Sequence, residues 1–366
     1  MDSEKEIALY YPYIDIKDAG LIKTAALYWD KLQTIVPLDP YGLYSERKEA
    51  TSVTEFYKTD ASREAKKEGF LEERIVNPMD ESVQQTGRNF ISDLREIPEI
   101  KESLANILRS KQWRHALADK YTTIYMEKFD PGHLLDLVFE LKDAGVQFTS
   151  LTDGSNGIIA PKPFADMYMS RMASVIAQKD GSVPLTNESL WQDAALARVI
   201  DYSEERKRNQ SFLAKMSLQT ISIASETPLI EILRFKDIPK HREMLIAFRK
   251  YIRELARQVA TGLDTTEKQR VFEEIIRDKV VPVKEEIQSK LSEGDIAFGL
   301  SAFDIAQATV MGAIASGGTD WRTGIAGAGI SLTVSFYQSL REDRNIIKEH
   351  PLGYLYQAQK KFGAKK

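Results

Sequence analysis

The residues best suited by type to do chemistry are carboxylates. Asp15 and Asp18 follow an apolar N-terminal run, Asp166 sits in a later helical stretch, and Glu188 follows the short apolar run after it, with Asn187 and Asp193 nearby. Several hard oxygen ligands that converge can hold Mg²⁺ or Mn²⁺, which neutralises a phosphodiester and activates water. The competing reading is that these acids cap helices and line solvated loops. Other chemistries are tightly bounded. The chain has no cysteine, which excludes disulfides, thiolate zinc sites, iron–sulfur clusters and cysteine nucleophiles, and fits a reducing compartment. His115, His133, His241 and His350 are dispersed, without HxxxH or HExxH spacing. There is no GxSxG elbow. Asp153-Gly154-Ser155-Asn156-Gly157 has no P-loop lysine and reads as a turn. The basic cluster Arg198, Arg206, Lys207 and Arg208 is interleaved with Asp201, Glu204 and Glu205, as on a solvated helix face.

The elements that must position these acids can be read from hydrophobic period. Ile7–Tyr13 is apolar and aromatic and reads as a buried strand; Ala19–Lys31 has helical spacing; Leu32–Val36 reads as a second strand before Pro37. A strand–helix–strand start implies a parallel pair joined by a right-handed crossover. The next 90 or so residues are polar and punctuated by Pro78 and Pro98, and read as short amphipathic helices with a strand near Tyr121–Lys128. Leu134–Asp143 then reads as a helix ending at Gly145, Val146–Leu151 as a short strand, and Pro163–Gln178 as a helix after a Gly/Pro-rich loop. Gly181 closes that helix, and Ser182–Thr186 reads as a last strand.

Beyond residue 195 the strand signals fade, apart from Thr220–Ala224. Thr227-Pro228 reads as a helix start with the threonine as cap, and Pro239–Ala260 carries one apolar stripe of Met244, Leu245, Phe248, Ile252, Leu255 and Val259. A charged helix over Thr266–Leu291 is interrupted by Pro282. From Gly294 to Leu340 the only charges are Asp295, Asp304, Asp320 and Arg322, and small residues recur. Gly312, Gly317, Gly324 and Gly327, with Trp321 at the turn, suit a tightly packed helical hairpin that serves as an interface; in lipid the same pattern suits small-residue contacts. The stretch 305–340 is too short or too weakly apolar to span a bilayer comfortably, so reversible insertion is the membrane alternative. Pro351 opens a last helix whose Leu352, Leu355 and Tyr356 dock on the body, with Tyr354 and Tyr356 as further interface candidates. The chain thus reads as α+β and predominantly α: a mixed α/β domain with a small sheet over residues 1–195, and a helical domain with the Gly/Ala-rich hairpin over 196–366.

Two resemblances add expectations. The layout of FADMYMSRMASVIAQKDGSVPLTNE after an N-terminal strand and acid resembles the late helix–strand pair of PIN-type nucleases, which implies a metal centre at Asp15, Asp18, Asp166 and Glu188. The first strand lacks the Asp-x-Asn start, and Asn187 stands where an acid is expected, which points to a degenerate, non-catalytic version. ALYYPYIDIKDAGLIKTAALYWDKLQTIVP and HPLGYLYQAQKKFG resemble the termini of an uncharacterised bacterial family, a domain of unknown function, with the FRKYIRELARQ helix and the Gly-rich hairpin in matching order. That resemblance implies an accessory member of multi-gene cassettes, phage-defence cassettes among them, and transfers no catalytic residue. The N-terminus starts acidic and polar, without a signal-peptide pattern, so a cytoplasmic protein is expected. A net charge of −4 offers no support for nucleic acid. The expected function is a non-enzymatic subunit of an intracellular assembly, with a protein partner or a second copy and no cofactor. The alternatives are a PIN-like nuclease with Mg²⁺ or Mn²⁺ and a membrane-acting effector.

Overall fold

Strand β1 (Ile7–Tyr10) is buried along nearly its whole length, and so is β2 (Lys31–Pro37), with helix α1 (Ala19–Tyr28) as the crossover between them. Both pair in parallel, Ala8 opposite Leu32 and Tyr10 opposite Thr34. Parallel strands covered on both faces read as continuous apolar runs, which is why this unit is visible in the sequence. The computed structural model describes residues 5–38, 57–110, 120–150, 157–186, 202–221, 223–260, 263, 265–283, 285 and 350–363. The architecture is α+β and predominantly helical, and the chain forms two units, Met1–Ser211 and Phe212–Lys366.

In the first unit, α2 (Asp60–Lys67) leads into β3 (Leu71–Val76), which pairs in parallel with β2. By sequence LEERIV belongs to a helical stretch; its three central charges lie on an edge strand and hide the period of two. Helices α3 (Glu81–Glu96) and α4 (Pro98–Arg109) follow. Then come β4 (Tyr121–Tyr125), a single 3₁₀ turn, α5 (Pro131–Lys142), β5 (Thr149–Ser150) and β6 (Gly157–Pro161). These three strands make an antiparallel sheet in the order β4-β6-β5. The GIIAP segment is a strand where the sequence suggests a loop, because Gly and Pro bracket only three residues. The expected strand over Val146–Leu151 is reduced to Thr149–Ser150, and Leu151 lies outside the described residues.

Helix α6 (Lys162–Asp180) is the hub of this unit. Phe164, Tyr168, Met172 and Ile176 are fully buried, and Phe129 stacks on Tyr168 at 4.6 Å between ring centroids. The Tyr168 hydroxyl donates to the Lys128 carbonyl at 2.9 Å. Gly181, at φ +71°, ends the helix in the left-handed region that only glycine enters without strain, and β7 (Val183–Leu185) follows directly. β7 pairs in parallel with β1, so the first sheet runs β3-β2-β1-β7.

The division between units falls inside α7 (Tyr202–Gln219). The described residues of the second unit are helical: α8 (Leu229–Asp237), α9 (Pro239–Arg257), α10 (Thr265–Ile275) with one π turn after it, and α11 (Gly353–Phe362). The stripe expected on α9 is buried as read. Two local expectations change. Thr220–Ala224 contributes only an isolated bridge, Ile223 to Gly363, rather than a strand. Pro228, not Thr227, occupies the cap position of α8, and no side chain caps it. The Gly-rich stretch 294–340, with Gly312, Gly317, Trp321, Gly324 and Gly327, lies outside the described residues.

Candidate functional site

The first sheet reverses its order between β1 and β7. In open parallel sheets the crevice beyond the carboxyl ends at such a switch point is the usual binding position. The loop leaving β1 delivers Tyr13, Asp15 and Asp18 to that edge, and the N-terminus of α6 supplies Lys162 and Asp166. Each acid already has an intrachain task. Asp15 accepts from the Thr59 amide through Oδ2 (3.1 Å) and from the Thr59 hydroxyl through Oδ1 (2.9 Å). Thr59 is itself the cap of α2 and accepts from the Ser62 amide, so Asp15 ties the β1–α1 loop to the start of α2. Asp18 caps α1, its Oδ1 accepting from the Leu21 amide at 3.1 Å.

Asp166 is 3% exposed and accepts from Lys162 Nζ at 2.7 Å, one helical turn away. The same ammonium lies 5.7 Å from the Tyr13 ring centroid. Burial works against the Lys162 charge, but the Asp166 carboxylate outweighs it and Tyr13 adds to the effect, so the lysine is held above its ordinary range. An ammonium this close competes with a divalent cation for the same carboxylate. Among the described residues, no three His, Asp or Glu side chains are grouped so as to hold a metal ion. Asn187, Glu188 and Asp193 lie outside those residues.

The expected aromatic contacts near the C-terminus are placed inside the second unit. Tyr354 is fully buried, stacked on Phe248 at 6.0 Å and tilted against Phe235 at 5.9 Å. It serves the core of its own unit, as do Leu352 and Leu355. Tyr356 is half-buried, and burial pushes its hydroxyl pKa upward. His350 accepts from the Leu352 amide through Nδ1 at 3.1 Å, and burial pushes its imidazole down to about 4.

A feature that sequence reasoning misses lies on α5. Leu137 and Leu141 are fully buried, and Glu140 accepts from Arg95 at 2.7 Å. On the opposite face Leu135 is 66% exposed, Val138 37% and Phe139 73%. These positions are three and four apart and form one apolar stripe. Asp136 and Asp143, seven apart, are exposed along one edge of it. The signal is present in PGHLLDLVFELK: a helix buried on one face needs one apolar stripe, and this one carries two. Two buried charges are equally silent in the sequence. Burial pushes the Lys128 ammonium down to about 7 against the pull of Glu127. Burial likewise pushes the Asp93 carboxyl up to about 6 although Arg171 stands 3.3 Å away.

Among the described residues no helix is long and apolar enough to cross a membrane. Comparison of the chain with protein-family models, with curated proteins and with solved structures finds no match.

Proposed function

We propose that this chain is a non-enzymatic subunit of a bacterial multi-protein assembly in the cytoplasm, acting by protein–protein contact. The phage-defence setting is what the resemblance of its termini suggests. The observation that carries the reading is the exposed stripe of Leu135, Val138 and Phe139 on α5. A large aromatic flanked by aliphatic groups on a rigid helix is the form an interface anchor takes. The acidic edge of Asp136 and Asp143 selects the partner: an apolar helix or groove with Lys or Arg along one margin. The commitments of Asp15, Asp18 and Asp166 to amides, a hydroxyl and an ammonium favour this reading over a metal-dependent nuclease.

The test is a tagged pull-down from the native host with its neighbouring genes intact, wild type against Leu135→Asp/Phe139→Asp. Recovery of a stoichiometric protein by the wild type, and its loss in the variant at unchanged circular dichroism and thermal midpoint, supports the reading. Equal recovery by both proteins removes α5 from it, and a wild type that recovers nothing but shows Mg²⁺- or Mn²⁺-dependent nuclease activity replaces it.

A further inference from the structure

Lys128, Lys236 and Lys268 are buried, at 4%, 3% and 5% exposure. A buried ammonium ordinarily keeps a counter-ion or a set of acceptors, because its charge is costly away from water. Lys236 and Lys268 are engaged by other groups. Lys128 differs. Among the described residues no acceptor takes a hydrogen bond from its side chain and no carboxylate forms an ion pair with it; Glu127 acts on it through its charge alone. The local fold holds it in that position. Lys128 ends the single turn that carries β4 toward α5, and the Tyr168 hydroxyl of α6 binds its carbonyl at 2.9 Å. The next residue, Phe129, stacks on the Tyr168 ring, and Phe90 of α3 packs edge-on against the same ring at 5.7 Å. The backbone at Lys128 is thereby pinned to the core, and the side chain cannot swing out to water without breaking these contacts.

We propose that Lys128 is a covalent capture site for a small uncharged aldehyde, which its amine binds reversibly as an imine. This goes beyond the interaction reading and does not depend on it. Burial pushes the ammonium down to about 7, so near neutral pH a large share of the side chain carries the lone pair that attack requires. The nitrogen lone pair adds to the carbonyl carbon, forming the C–N bond while the C=O π pair moves to oxygen. The carbinolamine then loses that oxygen as water, both amine hydrogens leaving with it, and the C=N bond remains. The site selects the class of ligand. An exposure of 4% restricts entry to molecules of a few atoms. Surroundings that reject an ammonium also reject a carbamate or a charged ligand, and Glu127, 7% exposed beside it, adds repulsion against an anion. A neutral imine suits such a site, because it removes the charge and leaves a less polar group behind.

Acetaldehyde with sodium cyanoborohydride traps an imine as a stable ethylamine, which peptide mapping by mass spectrometry assigns to a residue. The probe is applied at limiting dose and pH 7 to the full chain, folded and in guanidinium chloride, with the exposed Lys142 and Lys250 as references. Relative to them, Lys128 should react at least about tenfold faster in the folded protein than in the unfolded one, where a lysine titrates near 10.4. The neutral fraction alone would give a lead of roughly a thousandfold, which slower entry and the weaker nucleophilicity of a weaker base reduce. The lead should shrink as pH is raised toward 10, where the unfolded lysine also supplies neutral amine. Glyoxylate, the same carbonyl bearing a carboxylate, should show at least about a tenfold smaller preference for Lys128. Labelling of Lys128 no faster in the folded than in the unfolded chain overturns the capture site, as does a lead that does not change with pH. Equal preference for glyoxylate and acetaldehyde overturns the uncharged class of ligand.

Discussion

Asp93 should make the stability of the first unit depend on pH in a direction opposite to that of most carboxylates. The side chain lies on α3, 8% exposed, with Arg171 of α6 at 3.3 Å and Glu96 one turn away. Burial raises its pKa to about 6, Arg171 pulls the other way without prevailing, and Glu96 reinforces the rise. An unfolded aspartate titrates near 3.9. The native state therefore binds this proton more tightly than the unfolded state between pH 4 and 6. Stability from the neutral form is fully present below about pH 4 and is lost as pH rises through about 6. The gap between the folded and unfolded values corresponds to roughly 3 kcal/mol at most. Discounted for the solvent that screens a group near the surface, the expected change is ~1–2 kcal/mol. Asp93→Asn removes the titration while keeping the shape, and its own stability at this site is flat with pH, because the pull of Arg171 on the ionised carboxylate is already contained in the folded pKa of the wild type. Urea unfolding of both proteins at intervals from pH 4 to 8 measures the difference directly. The wild type should lose ~1–2 kcal/mol relative to Asp93→Asn across that range. Parallel stability curves would refute the reasoning, because they would mean that the buried carboxyl titrates alike in both states.

Two further substitutions probe the other assignments. Asp15→Ala removes two hydrogen bonds to Thr59 and should lower unfolding stability by about 1–3 kcal/mol in denaturant titration; an unchanged midpoint would release Asp15 from its structural role and return it to the metal hypothesis. Lys128→Met removes a buried ammonium whose folded pKa of about 7 is well below that of a free lysine. The native state sheds this proton first, so the cost of the charge is full below pH 7 and fades as pH rises toward 10. The variant should gain at most about 5 kcal/mol at pH 6 and progressively less by pH 10, read by thermal unfolding at both ends; a pH-independent difference would count against it.

Hydrophobic period determines a good part of the fold. Residues 7–37 declare a strand–helix–strand unit because parallel strands are apolar on both faces, and α9 declares itself because one stripe recurs every three or four residues. Gly181 marks the end of α6 because a left-handed turn admits little else. β3 and β6 are not readable in this way, since an edge strand rich in charge loses its alternation and a five-residue central strand is too short to show one.

The site needs three dimensions. That Asp15 and Asp18 follow β1 is evident in the chain, but what each carboxylate binds depends on Thr59, more than forty residues further on, and on the first turn of α1. Asp166 and Lys162 are neighbours by helical spacing alone; that both are drawn into a buried setting is a tertiary fact. The doubled stripe of α5 is likewise written in the sequence, whereas which stripe is buried and which meets water is decided by packing. Local sequence dictates period and capping because those interactions span a few residues. Burial, and with it the protonation of Asp93 and Lys128, depends on what the rest of the unit brings alongside.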